Sequence, residues 1–360
     1  EEEEEEEDEE AETETEAEEQ HASTVNHIGD ITPPKGVGDH LNFHSHHPTA
    51  PRIGYMIPIL SCQSSYTIIE DGSPPPSDDS TLYDAAAVLA HSIKKNSIHG
   101  SSGSKYAYHL IAVFHPDAVE CHGENRTTLL QSLGYHTIVR DTPVSVSEIK
   151  NGYFRSNLEY NGQDNLVDYM KLYAYSLTAY PIVVLLDVKS LILQPLDELF
   201  NLFYASPYDL KSVFGGTVVP IARTNPVKEP TGLEVLYTKT YNSIQPKKWT
   251  AGINTSFLII RPSEGKFNEL KQIIKNGDYQ PKTGWGGAGF GDFYGSMQLR
   301  GLLLYYHTHY HNPQSSLELD RCVYNNVGDI PYIRVEGKKY CRDTQLEFKE
   351  NNCRDCREAP

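Results

Sequence analysis

From Pro51 onward, apolar and polar positions fall into short runs that switch between strand-like and helix-like periods. Ile53-Gly-Tyr-Met-Ile-Pro-Ile-Leu60 is almost wholly apolar and reads as a first strand, with Pro58 limiting its ladder bonds. Ser80 to Lys95 places Leu82, Ala86, Leu89 and Ile93 on one face of a helix. His109 to Phe114 is a second strand, Arg126 to Leu133 a short helix, and His136 to Arg140 a third strand that ends before Pro143. A helix opening at Asp164 carries Leu166, Met170, Tyr173 and Leu177 and stops at Pro181. Ile182-Val-Val-Leu-Leu186 has no polar alternation, which predicts a central parallel strand buried on both faces. Asp197 is placed to cap a helix over Glu198–Phe203. Ser256 to Ile260 is another buried strand, and Pro262-Ser263 opens a helix bearing Phe267, Leu270, Ile273 and Ile274. A glycine-rich loop, 284–291, precedes Leu302–Tyr306, after which His307, His309 and His311 alternate as at the end of a strand. Strands alternating with helices predict an α/β sandwich with a mostly parallel central sheet.

Charge changes the picture only at one end. Fifteen of the first twenty residues are Asp or Glu, so of the formal net charge of −18 only −3 belongs to the rest of the chain. Residues 1–51 read as a disordered acidic tail and linker, because such a segment buries too little apolar surface to offset ordering. The remainder has no basic face for nucleic acid. No run of roughly 18 apolar residues is present to span a membrane. A secretory location, such as the Golgi lumen, is expected if an anchor precedes residue 1, and a cytoplasmic one otherwise. His44, His46 and His47 are candidate metal ligands within the linker. Four of the six cysteines, Cys322, Cys341, Cys353 and Cys356, fall in the last 39 residues. Cys353-x-x-Cys356 is compatible with half of a zinc site, and the four together with disulfides. Asn125-Arg-Thr127 and Asn254-Thr-Ser256 fit the glycosylation rule, the second beside a strand that should be buried.

Ligands of open α/β sheets bind beyond the carboxyl ends of strands, near a topological switch point. Asp187, directly after the 182–186 strand, is therefore placed where a ligand would stand, although an acid there also serves simply to cap a turn.

The surrounding sequence narrows this. Lys171-Leu172-Tyr173-Ala174-Tyr175-Ser176-Leu177, the strand, Asp187-Val188-Lys189, Ser190-Leu191-Ile192-Leu193 and Asp197-Glu198-Leu199-Phe200 together resemble the core of family-8 glycosyltransferases, the glycogenin-like enzymes. Asn254-Thr-Ser256-Phe257 through Arg261-Pro262-Ser263 resembles a second motif of that family, with Ser256 where relatives have glycine. The resemblance spans about 52–312, and the long insertions and Cys-containing end resemble microalgal glycogenin-like proteins more than glycogenin itself. It implies a GT-A fold, a Rossmann-like α/β/α sandwich, over 52–340 and a Cys-containing segment, 341–360, read as truncated because the family's closing His/Lys motif is absent.

The resemblance further implies retaining transfer of a hexose from a nucleoside-diphosphate sugar to a glycan or protein hydroxyl. Asp292 and Asn254 would approach the sugar at the catalytic positions, and Asp187, Lys189, Lys171 and Ser256 would bind the nucleotide-sugar. A second alignment instead puts Leu299 and Arg300 in the place of Asp292. The family's Mn²⁺ is held by Asp-x-Asp and a histidine; here Asp187 and His309 are the candidate ligands, and Lys189 replaces the second acid. These departures also allow a non-catalytic relative that binds nucleotides or acts as a scaffold. The 24 tyrosines suggest, as a third class, a carbohydrate-binding surface protein.

One expectation follows from composition alone. Ordering costs about 1–2 kcal/mol per residue, which the acidic segment has no means to offset. Deleting residues 1–48 is expected to leave the thermal unfolding midpoint unchanged to within a few degrees, and a larger fall would show that the tail packs on the domain.

Overall fold

The structure is a computed structural model that describes residues 50–62, 78–97, 104–160, 164–204, 232–241, 250–326, 331–342 and a few positions between 346 and 356. The acidic segment, His44, His46 and His47, and residues 71–77, where the sequence Asp71-Gly-Ser-Pro-Pro-Pro-Ser-Asp-Asp79 reads as a loop, lie outside the described residues.

A single seven-stranded sheet carries the fold. Its strands are β1 (Arg52–Ile59), β2 (Ala107–Phe114), β3 (His136–Val139), β4 (Ile182–Leu186), β5 (Val235–Lys239), β6 (Ile253–Ile260) and β7 (Ser316–Glu318), in the spatial order β7-β5-β6-β4-β1-β2-β3. Neighbours pair in parallel except where β6 runs antiparallel to both β4 and β5. The α/β class and the mostly parallel sheet are thus those expected from the hydrophobic pattern. After β1 the chain builds outward through β2 and β3, then returns to lay β4 on the other side of β1. That reversal is the switch point, and it lies between the carboxyl ends of β1 and β4.

Both faces of the sheet are covered. Ile53, Tyr55, Ile57 and Ile59 of β1 and Ile182, Val184 and Leu186 of β4 share one core with Ala86, Leu89 and Ile93 of α1 (Asp78–Ser97), Leu130 of α2 (Arg126–Ser132) and Leu199 and Phe200 further along. The opposite face meets a second helical layer. Between α3 (Gly152–Tyr160) and β4 lies α4, an irregular helix made of Asp164–Val167, a 3-10 stretch Asp168–Leu172, and Tyr173–Ser176. Its last turn packs on β4 and on α6 (Glu264–Asn276), while α7 (Leu299–Tyr305) packs on β6. Gly54 faces this side: a Cβ there would lie 3.1 Å from both the Tyr180 ring and Ile111, so a larger residue would push Tyr180 or Ile111 back by a few tenths of an ångström.

Three expectations are corrected. Asp197 does not cap α5 (Asp197–Leu202) but is its first residue, and its carboxylate accepts hydrogen bonds from the Ser104 hydroxyl at 2.8 Å and the Lys105 N–H at 3.0 Å. The acid ties α5 to the segment leading into β2. Leu302–Tyr306 is not a strand: Leu302–Tyr305 form the second half of α7, and Tyr306 opens a π-helical turn, Tyr306–Tyr310. Cys353 and Cys356 do not act together: the disulfides are Cys322–Cys356, Cys341–Cys353 and Cys62–Cys121, which leaves no paired thiols for zinc. Among the described residues no helix is long and apolar enough to cross a membrane.

His307, in the π turn, is almost fully buried and shares a hydrogen bond with the Tyr175 hydroxyl at 2.7 Å. Burial, helped by Lys266 and His311, lowers its pKa from 6.5 to about 3. The unfolded chain takes up a proton near 6.5 that the folded chain refuses until about 3, so acid favours unfolding across that window. The loss is about 1.4 kcal/mol per pH unit for one such group. His307→Gln, which keeps a polar partner for Tyr175, is expected to flatten the fall of the thermal midpoint between neutral pH and pH ~4. An unchanged slope would assign the acid sensitivity to other groups.

Candidate functional site

The site begins where β4 ends. The apolar run that makes β4 a buried strand stops at Asp187, whose N–H still donates to the Ser256 carbonyl of β6 at 3.2 Å. Its own carbonyl then accepts the Ser190 N–H at 2.9 Å, closing a turn over Val188 and Lys189. Asp187 is therefore the last residue held by the sheet, at the carboxyl edge beside the switch point, with its side chain 41% exposed.

Lys171 reaches the same point from α4. It is 8% exposed, and its Nζ lies 2.9 Å from Asp168 Oδ1 and 3.3 Å from Asp187 Oδ1. A third, longer hydrogen bond of 3.4 Å runs to Thr255 Oγ1. Asp168 and Lys171 meet because this part of α4 is 3-10, in which positions three apart eclipse. Burial works against the ammonium, but the two carboxylates outweigh it and raise its pKa above the usual lysine value. The other oxygen of Asp187, Oδ2, accepts a 2.6 Å hydrogen bond from Ser256 Oγ. Asn254 Oδ1 in turn accepts the Ser256 N–H at 2.9 Å. Lys171, Asp187, Asn254 and Ser256 thus form one bonded set. Asp168 and Thr255, which pattern reading did not single out, complete it. Only the three-residue spacing of Asp168 and Lys171 hinted at the first.

The remaining candidates stand apart. Lys189 is exposed in the turn, outside the buried set. Asp292 lies half-buried in the loop before α7. Its neighbour Phe293 presses on Gly252, where an added Cβ would fall 2.5 Å from the ring, so the loop brackets the start of β6 two residues before Asn254. Leu299, the alternative at that motif position, is fully buried. The three histidines do not share a face, because their segment is helical: His307 is buried against Tyr175, His309 stacks on Tyr305, and His311 lies 3.1 Å from Glu234. His309 is not among the partners of Asp187. Asn254, in the second glycosylation motif, is buried, whereas Asn125 is exposed and its side chain caps α2.

Both oxygens of Asp187 are already engaged, one of them by a cation, and the second acid of an Asp-x-Asp pair is replaced by Lys189. Like unit charges about 4 Å apart repel by about 4 kcal/mol at an effective dielectric near 20, and a divalent ion feels about twice that. The residues present do not fit Mn²⁺. The one group of three potential ligand side chains found among the described residues is Cys62, Cys121 and His122, and its two sulfurs are tied in a disulfide.

No protein-family profile matches the chain, nor does any curated protein. Among solved structures it is similar to mouse xyloside xylosyltransferase 1 in its apo form, with 11% identity over 76% of this chain and 86% of that one and a TM-score of 0.35. It is similar to glucosyl-3-phosphoglycerate synthase of M. tuberculosis, with 11% identity, 75% and 70% covered and a TM-score of 0.30. A third is the galactosyltransferase LgtC solved with donor and acceptor sugar analogues, with 10% identity, 79% and 90% covered and a TM-score of 0.32. Likeness this faint adds no weight to a functional conclusion.

The bonded set predicts a ranking of stabilities. Lys171→Met leaves two carboxylates facing each other without their shared cation and is expected to cost about 2–4 kcal/mol, since both acids retain some solvent. Ser256→Ala removes one hydrogen bond to a half-exposed carboxylate and is expected to cost about 1 kcal/mol. Urea unfolding of both variants checks this, and equal costs would show that Lys171 is not held as described.

Proposed function

We propose that the protein is a GT-A-type glycosyltransferase that moves a hexose from a nucleoside-diphosphate sugar to a hydroxyl of a glycan or protein, with retention at the sugar carbon. The observation that carries this reading is the position of Asp187. It stands at the switch point of a mostly parallel sheet, within the 171–200 segment that resembles the glycogenin-like pattern except at Lys189. Asp187 is assigned to the ribose of the donor, and Ser256 and Lys171 hold its carboxylate in place. Lys189, exposed two residues further on, is assigned to the diphosphate, and Asn254 and Asp292 to the sugar.

The chemistry sets what these groups must do. The bond from the sugar carbon to the phosphate oxygen breaks, a bond to the acceptor oxygen forms on the same face, and the acceptor's proton leaves with the nucleoside diphosphate. Negative charge therefore grows on the leaving phosphate, and a fixed ammonium near it stabilises the transition state more than the ground state. Lys189, exposed on a flexible stem, supplies a positive charge that becomes fixed only when it closes on the bound diphosphate. Three disulfides fit an oxidising compartment, so the secretory pathway is the proposed location.

Calorimetric titration with a panel of nucleoside diphosphates tests the reading, together with assay of nucleoside diphosphate release from the corresponding sugars. One member is expected to bind, with Asp187→Asn and Lys189→Ala each weakening it by about tenfold or more, as charge-assisted contacts of about 1.5–3 kcal/mol require. Binding without release on any acceptor would favour a non-catalytic nucleotide-binding relative. No binding, or binding indifferent to both substitutions, would overturn the assignment.

A further inference from the structure

We propose that Lys171 is the built-in cation of this site: its ammonium fills the place between Asp168 and Asp187 where a divalent ion would sit, so ligands bind at Asp187 without a metal. The nature of the ligand rests on the glycosyltransferase reading; the replacement of the ion by Lys171 does not.

Four observations carry it. The ammonium has one oxygen of each acid within 3.3 Å and the Thr255 hydroxyl at 3.4 Å, an all-oxygen surround of the kind a hard divalent ion takes. It is buried, so it does not swing out to make room in the way that a surface lysine would. Ser256 Oγ at 2.6 Å engages the second oxygen of Asp187, so both oxygens already have one partner; each keeps a lone pair for a hydroxyl donor, while the Lys171 ammonium beside them repels a divalent ion. The charges also balance. Asp168 and Asp187 with Lys171 and Lys189 sum to zero, the same formal total as two carboxylates around one divalent ion. Two single charges thus total one double charge, Lys171 buried between the acids and Lys189 exposed in the turn that follows Asp187. The glycosyltransferase class to which the site is assigned would then include a member whose donor site carries its counter-charge within the polypeptide.

The test is a Mn²⁺ titration of the full chain without nucleotide, followed by the electron paramagnetic resonance signal of the free ion. Any Mn²⁺ taken up by the acidic N-terminal segment is common to every variant, and Asp187→Asn measures that background. Wild-type protein and Asp187→Asn are expected to give superimposable curves. Lys171→Ala, which frees two carboxylates and a hydroxyl around one point, is expected to gain one further site that Lys171→Ala/Asp187→Asn lacks. Lys171→Gln is the second variant should the alanine form fail to fold by circular dichroism, and it is expected to gain the same site more weakly. An Asp187-dependent Mn²⁺ site in the wild-type chain overturns the proposal, as does the absence of any gained site in a folded Lys171 variant. A parallel titration separates the two readings: a nucleoside diphosphate should bind with the same affinity in Mn²⁺ and in chelator, to within about twofold. If no nucleotide binds at all, the glycosyltransferase reading falls while the Mn²⁺ curves still decide the place of Lys171.

Discussion

A buried ammonium must be paired, because moving it out of water costs several kcal/mol that only close opposite charge recovers. At the carboxyl edge of this sheet that requirement organises everything else. Lys171 draws Asp168 from its own helix and Asp187 from the end of β4 to a single point, and Thr255 of β6 completes the surround. Asp187 is thereby fixed on one side, and Ser256 fixes it on the other. A helix, a strand end and a strand start are held together by one side chain.

The arrangement depends on the one strand that runs against the rest. Were β6 parallel to β4, its first residues would lie at the amino edge, away from the switch point. Running antiparallel, it brings Asn254, Thr255 and Ser256 to the edge where β4 finishes. The loop before α7 then closes over the start of β6 through Phe293 and Gly252. The other end of β6 is held differently: Glu234, next to β5, pairs with Lys266 at 2.8 Å and His311 at 3.1 Å. The Glu234 carbonyl accepts the Arg261 N–H just after β6 at 2.8 Å, so that network ties the end of β6 to α6 and the π-helical turn, apart from Asp187. The two ends of one strand thus divide the labour between ligand site and scaffold.

The sheet was legible because burial on both faces removes polar alternation, as in 182–186, and because helical spacing in 80–95 and 264–274 is unmixed. Strand direction was not legible, since a buried strand reads the same in either direction. Leu302–Tyr306 misled for a related reason: five apolar residues carry no period of their own, and the alternating histidines after them imitated a strand. At the site, the family resemblance paired Asp187 with Lys189 as the two ends of an Asp-x-Asp motif, which share a face only if the strand runs on through both. Alternation holds only while a strand lasts, and β4 ends at Leu186. The turn carries Lys189 out to solvent, and the cation that meets Asp187 comes from sixteen positions upstream, through a helix whose 3-10 stretch no periodicity announces.

The cysteine connectivity bears on how the chain is made. Six thiols allow 15 full pairings, of which this structure uses one. Two of its bridges are nested, with Cys341–Cys353 lying inside the loop closed by Cys322–Cys356. Cys353 and Cys356 are near neighbours along the chain yet must choose different partners. Exchange between them costs little chain entropy and gives a crossed isomer, in which Cys322 takes Cys353 and Cys341 takes Cys356. Synthesis in a host without a disulfide isomerase would therefore yield a mixture of topological isomers of equal mass, distinguishable by peptide mapping under non-reducing conditions rather than by intact mass.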